Sequence, residues 1–210
     1  MRRRILGRAC GLPLVGITVW MALSASAPPA LAFGPGTETV RSLYDTLLAT
    51  MRNGPALGAR GRYAQIEPVV RRVFDISFMT RLAVGAEWAS LNEPQRQQVS
   101  DAFQRYIAAI YAQRFDSYSG ERLEVTGKRQ ASGAMIITSQ MIKSNEEPVN
   151  INYLMRDNGG VWQIADVYLD GTISELATRR SEFASILRTQ GINGLIQALN
   201  VNADSLVRAS

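Results

Sequence analysis

The sequence predicts an α+β fold: a curved antiparallel sheet of four strands, a meander, wrapped by N-terminal and C-terminal helices. Three observations predict it. Apolar residues recur with a helical period over residues 37–118, change to a period of two over 122–169, and return to the helical period over 172–207. Turn chemistry separates the strand-like segments at short spacing. Apolar residues occupy both faces of those strands, so the sheet is covered on both sides at least in part.

Val40, Leu43, Tyr44, Leu47, Leu48 and Met51 follow the i, i+3, i+4 spacing of an amphipathic helix, with Thr37 as expected N-cap and Asn53-Gly54-Pro55 as its stop. A short Gly- and Ala-rich linker is expected next. Ile66, Val69, Val70, Val73 and Phe74 mark a second helix; Asp75 is placed to cap a third, which carries Phe78, Met79, Leu82 and Ala83 and ends at Gly85. Asn92 and Gln95 have capping-box spacing, and the helix they open bears an aromatic stripe of Phe103, Tyr106, Tyr111 and Phe115. Such a stripe serves equally well as plain core or as a wall facing a ligand.

Strands are expected over 122–130, 134–143, 148–156 and 161–169. Ser132-Gly133 and Asn145-Glu146-Glu147 suit tight connections, and Asn158-Gly159-Gly160 supplies the residues a primed hairpin turn needs for positive φ. Strict alternation puts Val149, Ile151, Tyr153 and Met155 on one face of the third strand. In the fourth it puts Trp162, Ile164 and Tyr168 together, opposite Val161, Ala165, Val167 and Leu169. Thr172-Ile173-Ser174-Glu175 reads as a second capping box opening a helix through Leu176, Phe183 and Leu187. Gly191 ends that helix, and Ile192, Leu195, Ile196 and Leu199 form a last short one.

Composition excludes more than it suggests. The chain has 210 residues, 46% hydrophobic and 20% charged, ordinary values for one globular domain. It has no His, which removes a Ser-His-Asp triad, a Cys-His pair and His-ligated zinc. The formal charge of +5 invites a nucleic-acid or anionic-membrane reading, but Arg2, Arg3, Arg4 and Arg8 stand ahead of an uncharged run over 9–23. Ala30-Leu31-Ala32 then supplies a small-residue cleavage site. That order is a secretory signal peptide, expected to be cut after Ala32. As a membrane anchor the run falls short of ~20 apolar residues and is interrupted by Gly11, Pro13 and Gly16.

Arg2 and Arg3 also resemble a twin-arginine signal, leaving the export route open between that and general secretion. Loss of residues 1–32 removes the only Cys, Cys10, and leaves one nearly neutral, thiol-free unit over 33–210. The expected location is the periplasm. Nucleic acid is not an expected partner of a neutral exported chain.

Gly127-Lys128 is followed by Arg129 where a P-loop needs Ser or Thr, and acidic residues do not recur at calcium-loop spacing. Neither a cofactor nor a metal is expected. The one catalytic device left is a carboxylate pair, from Asp116 with Glu121 or Asp166 with Asp170, which would make the chain a carboxylate-dependent periplasmic enzyme of small cone-shaped α+β type. A ligand-free interaction module of the envelope is a third reading. Asp beside Gly or before a helix more often shapes a turn or cap. What distinguishes the chain is apolar material spread along one long helix and a sheet face, which suits passive lipid carriage.

Three blocks of residues resemble a known family. The first runs from Phe74 to Gly85 with Trp88, and the second from Phe103 and Tyr106 through Tyr111 to Phe115-Asp116-Ser117-Tyr118-Ser119-Gly120. The third runs from Trp162, Ile164, Asp166 and Val167 through Asp170-Gly171 and Ser174 to Arg180, Phe183, Gly191 and Leu195. In order and spacing they resemble the periplasmic lipid carriers of the MlaC and toluene-tolerance auxiliary family, and most closely its hopanoid-associated branch, HpnM.

The resemblance implies an apolar pocket between sheet and helices that holds a phospholipid or a hopanoid, with no enzymatic activity. It implies an inner-membrane transporter as partner, of resistance-nodulation-division type or an ATP-driven complex, and an outer-membrane acceptor. The pocket walls it implies are Phe78 and Leu82, then Phe103, Tyr106, Ile107, Ile110, Tyr111, Phe115 and Tyr118 on the helical side. On the strands they are Ile137, Met141, Ile151, Tyr153, Met155, Trp162, Ile164 and Tyr168. The strand residues come from two candidate faces, because alternation defines the faces without choosing between them. Asp166, Ser174 and Arg180 are expected to be structural.

Overall fold

The computed structural model describes residues 34–131 and 134–208, so the expected signal peptide and the expected turn at Ser132-Gly133 lie outside the described residues. Helices α1 (Pro35–Arg52), α2 (Gly54–Val73), α3 (Ile76–Val84) and α4 (Glu93–Arg114) come first, with a 3₁₀ segment, Gly85–Ser90, between the last two. Strands β1 (Arg122–Ala131), β2 (Ala134–Ile142), β3 (Pro148–Asn158), β4 (Val161–Leu169) and β5 (Ile173–Ser174) follow, and α5 (Glu175–Arg208) closes the chain. The sheet is an antiparallel meander in the order β1-β2-β3-β4-β5, confirming the α+β class and adding a two-residue fifth strand to the four expected.

Local chemistry places most boundaries where the sequence put them. Asn92 accepts from the Gln95 backbone N–H at 2.9 Å while the Gln95 side chain accepts from the Asn92 N–H at 3.1 Å, a complete capping box. Asp75 accepts from the Phe78 N–H at 3.1 Å and so caps α3. Gly159 and Gly160 turn β3 into β4 with φ of 66° and 94°.

Three details differ. Thr37 does not cap α1; the helix starts at Pro35, whose missing N–H costs nothing in a first turn, and Thr37 is buried one turn in. The expected linker after Asn53 is helix, kinked at Gly58 with φ 60°. Pro55 in the first turn starts it and the Arg62 guanidinium anchors it, donating to the Ala112 carbonyl of α4 at 2.8 Å and the Gly54 carbonyl at 3.1 Å. Thr172 does not open α5: Ser174 does, accepting from the Ala177 N–H at 2.9 Å, and Ile173 is left exposed on β5. Gly191, by contrast, breaks the helical backbone of α5 where the sequence ends the first helix, with φ of 65° and ψ of −169°, and a second helical segment follows the kink.

One face of the sheet is the core face. Met135, Met155 and Ile164 stand side by side in the register, as do Ile137, Tyr153 and Val167 one step along. Helix α1 covers one end of this face with Val40, Leu43 and Leu47, all fully buried. Helix α4 lies deeper, with Ala102, Ala108, Ala109 and Ala112 buried where α2 and α5 approach it. No described helix is long and apolar enough to cross a membrane.

The fourth strand breaks strict alternation. Leu154 pairs with Asp166 while the next residue, Met155, pairs with Ile164, so Ala165 is an extra residue in a β-bulge. Beyond it the parity reverses: Val167 and Leu169 join the face of Ile164, and Tyr168 turns to the opposite face beside Asn152. The sequence-based assignment of Tyr168 to the face of Trp162 and Ile164 is corrected by this single inserted residue.

Candidate functional site

Between the uncovered end of the core face and helices α4 and α5 lies a cavity of about 560 Å³, inside the ~300–1,000 Å³ range of small-molecule sites. The floor is apolar and buried, with Met51 of α1, Phe74 after α2, Met79 of α3 and Phe103 of α4. Ile107, Ile110 and Tyr111 continue along α4, and Phe115 stacks on Tyr111 with ring centroids 5.7 Å apart. The sheet supplies Met141, Val149, Ile151, Tyr153, Val167 and Leu169. Leu176 of α5 closes the side.

Eight of the residues named from the sequence meet in this cavity: Phe103, Ile107, Ile110, Tyr111, Phe115, Met141, Ile151 and Tyr153. The other nine stand elsewhere. Ile137, Met155, Trp162 and Ile164 are on the same sheet face but under α1; Trp162 and Met155 flank Gly36. Tyr168 is on the opposite face. Tyr106 looks toward α5, where the Arg179 guanidinium lies 5.5 Å from its ring centre. Phe78 sits between the guanidinium groups of Arg81 and Arg156, at 5.5 Å and 3.9 Å, and Leu82 and Tyr118 are exposed.

Val167 and Leu169 were missed because the bulge hides their face, while Val149 carried the signal, sharing the parity of Ile151 and Tyr153. Met51, Phe74, Met79 and Leu176 reach the cavity from four different segments, a meeting that periodicity within each segment does not encode.

The polar atoms nearest the floor are already paired. Ser139 donates to the Ile151 carbonyl, so it receives the Tyr44 hydroxyl at 2.5 Å, and Tyr153 hydrogen-bonds Tyr44 in turn. These bonds satisfy buried hydroxyls inside the wall, and of these residues Tyr153 also lines the cavity. Burial pushes the phenols of Tyr153, Tyr44 and Tyr111 upward from their ordinary value. Below pH 10.0, that ordinary value, folded and unfolded chains both keep these protons and no pH dependence arises. Above it the unfolded chain releases them first, so stability falls with rising pH, by up to ~1.4 kcal/mol per unit for each tyrosine. Urea denaturation repeated between pH ~9 and ~11 is expected to show this decline beginning near the ordinary phenol value. A midpoint constant through that window would contradict the buried hydroxyl chain.

Charged side chains collect at the mouth instead. Arg114, Asp116 and Lys143 are exposed and Glu121, Glu175 and Arg179 half-buried, all lining the opening. Arg179 pairs with Glu182 at 2.7 Å and Glu175 at 3.4 Å. The rim is held in place by Gly54, where a Cβ would come within 1.8 Å of the Asp116 carbonyl oxygen.

The carboxylates proposed for catalysis have other employment. Asp166 is buried and accepts from the Ser174 hydroxyl at 2.6 Å, the Val167 N–H at 2.7 Å and the Leu176 N–H at 3.1 Å, tying β4 to the start of α5. Asp170 is exposed with φ 48° in the turn after β4. Glu121 accepts from the Ser119 N–H at 2.6 Å and Asp116 from the Ser117 hydroxyl at 2.9 Å, both within their own loop. Among the described residues no group of acidic, His or Cys side chains is placed to hold a metal ion.

Comparison with known proteins agrees with this geometry. Residues 41–201 match the family described as MlaC protein. Among solved structures, a phospholipid-binding protein from Ralstonia solanacearum, in complex with a phospholipid, is similar with a TM-score of 0.71 and 22% sequence identity. The alignment covers 82% of this chain and 99% of that one, so the two share a fold. With its sheet, helices and apolar cavity within a family match that spans most of its length, this chain belongs to the MlaC family.

Proposed function

We propose that this protein is a periplasmic carrier that encloses the acyl portion of a phospholipid in its cavity and shuttles it between the two membranes of the envelope. MlaC proteins are lipid-binding carriers and not enzymes. The observation that carries the proposal for this chain is the cavity itself: apolar from Met51 to Leu169, without a free polar group on its floor, and open at a charged rim. Each methylene moved from water into such a lining gains ~0.8 kcal/mol, so a chain of about 16 carbons meets a desorption barrier of order 10 kcal/mol unless a protein offers equivalent surface. The bound phospholipid in the Ralstonia solanacearum protein supports the same reading. Residues 1–32 are proposed as the export signal, cut after Ala32, and an inner-membrane transporter and an outer-membrane acceptor as partners, since a passive carrier takes its direction from them.

A hopanoid is the second cargo, favoured by the segments Phe115 to Gly120 and Gly171 to Ala177 that resemble the hopanoid-associated branch. Lipid-free protein incubated with vesicles of a phospholipid and a hopanoid, then separated by flotation and extracted, distinguishes the two. The expected extract contains phospholipid. An extract dominated by the hopanoid would exchange the two readings, and an empty protein would end both.

A further inference from the structure

The mouth of the cavity carries a pattern of charge that the apolar interior does not need. Three cations, Arg114, Lys143 and Arg179, and three acids, Asp116, Glu121 and Glu175, line it. Two of these groups neutralise each other, since Arg179 is committed to Glu175 and to Glu182 beyond the rim. Lys143 is loosely engaged with Glu147 at 3.4 Å, both side chains largely in solvent. Arg114 makes no ion pair among the described residues, and the partners of Asp116 and Glu121 are a hydroxyl and a backbone N–H rather than cations. Among the described residues the rim therefore holds one cation without an ion pair, one weakly paired cation and two carboxylates that accept hydrogen bonds in their own loop but face no cation.

The carboxylates belong to the loop that leaves the C-terminal end of α4, where the helix dipole already favours positive charge. Glu121 stands at the end of that loop, just before β1, and Gly54 packs against its start, so this side of the rim is fixed in place. A headgroup bearing only a phosphate finds Arg114 and Lys143 but leaves both carboxylates without a cation. One bearing a phosphate and an ammonium matches both signs.

We propose that the mouth selects a zwitterionic phospholipid headgroup, its phosphate taken by Arg114 with Lys143 and its ammonium by Asp116 and Glu121. This rests on the reading that the cavity holds phospholipid acyl chains. Selection is modest, because the groups are solvent-exposed: about fivefold, the discrimination that one exposed ion pair supplies.

The test uses lipid-free protein exposed to vesicles containing equal amounts of phosphatidylethanolamine and phosphatidylglycerol with the same acyl chains. Bound lipid is extracted and counted by mass spectrometry. The native protein is expected to hold the zwitterionic lipid in about fivefold excess. The double variant Asp116→Asn with Glu121→Gln keeps both acceptors for Ser117 and Ser119, and is expected to lose the excess, read as the ratio of the two lipids within one extract whatever the total bound. Equal capture of both lipids by the native protein overturns the proposal while leaving the carrier reading intact. So does an excess that survives in the double variant. Capture of neither lipid overturns the carrier reading and this proposal with it.

Discussion

Ile110→Trp combined with Val149→Trp is expected to empty the cavity of lipid while leaving the protein folded. The two side chains face the cavity from opposite walls, α4 and β3, and each is only half-buried because part of its surface looks into the open volume. Indole rings at these positions therefore have space to enter without displacing backbone. If they exclude four methylenes of a bound chain, the loss is about 3 kcal/mol, or roughly 200-fold in affinity. Mass spectrometry of bound lipid measures the loss, and thermal denaturation checks that the variant still melts cooperatively. Lipid content equal to that of the native protein in a folded double variant would place the ligand somewhere else.

The second large effect is on stability. Asp166→Ala removes the acceptor for the Ser174 hydroxyl and the N–H groups of Val167 and Leu176, all at a buried junction between β4 and α5. Groups left without partners in such a place cost ~1–3 kcal/mol each, partly recovered by water at the half-buried Ser174. A net loss of about 3–5 kcal/mol is expected in urea denaturation, a large share of the ~5–15 kcal/mol typical of a domain. The junction also positions Leu176 and Arg179 along the cavity, so lipid retention should fall together with stability. A loss below ~1 kcal/mol would mean that α5 is held by its apolar contacts alone.

Much of this architecture is legible in the residues. Capping chemistry at Asp75 and Asn92, the glycine pair after Asn158, and the change of period at Arg122 mark boundaries because each uses forces acting within a few residues. The helical wall of the cavity was legible for the same reason: Phe103, Ile107, Ile110 and Tyr111 lie along one side of a regular helix.

The sheet wall was not, because its reading depends on a single extra residue. Ala165 is small, apolar and unremarkable in the sequence, yet bulging it exchanges the two faces of β4 beyond it, bringing Val167 and Leu169 into the cavity and taking Tyr168 out. Nor does periodicity reveal that α1 covers one end of the core face. That packing separates Ile137, Met155 and Ile164, which are core, from Ile151 and Tyr153, which face the cavity, although all five share one side of the sheet. Long-range coverage of this kind is decided by where helices dock, after each element has formed.

Native mass spectrometry of the protein purified from periplasm, with no lipid added, shows whether the cavity is the binding place of a phospholipid. The expected mass exceeds that of the polypeptide by one phospholipid, an increment that organic solvent removes and that the variant with Ile110→Trp and Val149→Trp lacks. A protein that runs at its bare polypeptide mass, and stays there after incubation with phospholipid vesicles, would contradict phospholipid binding in the cavity.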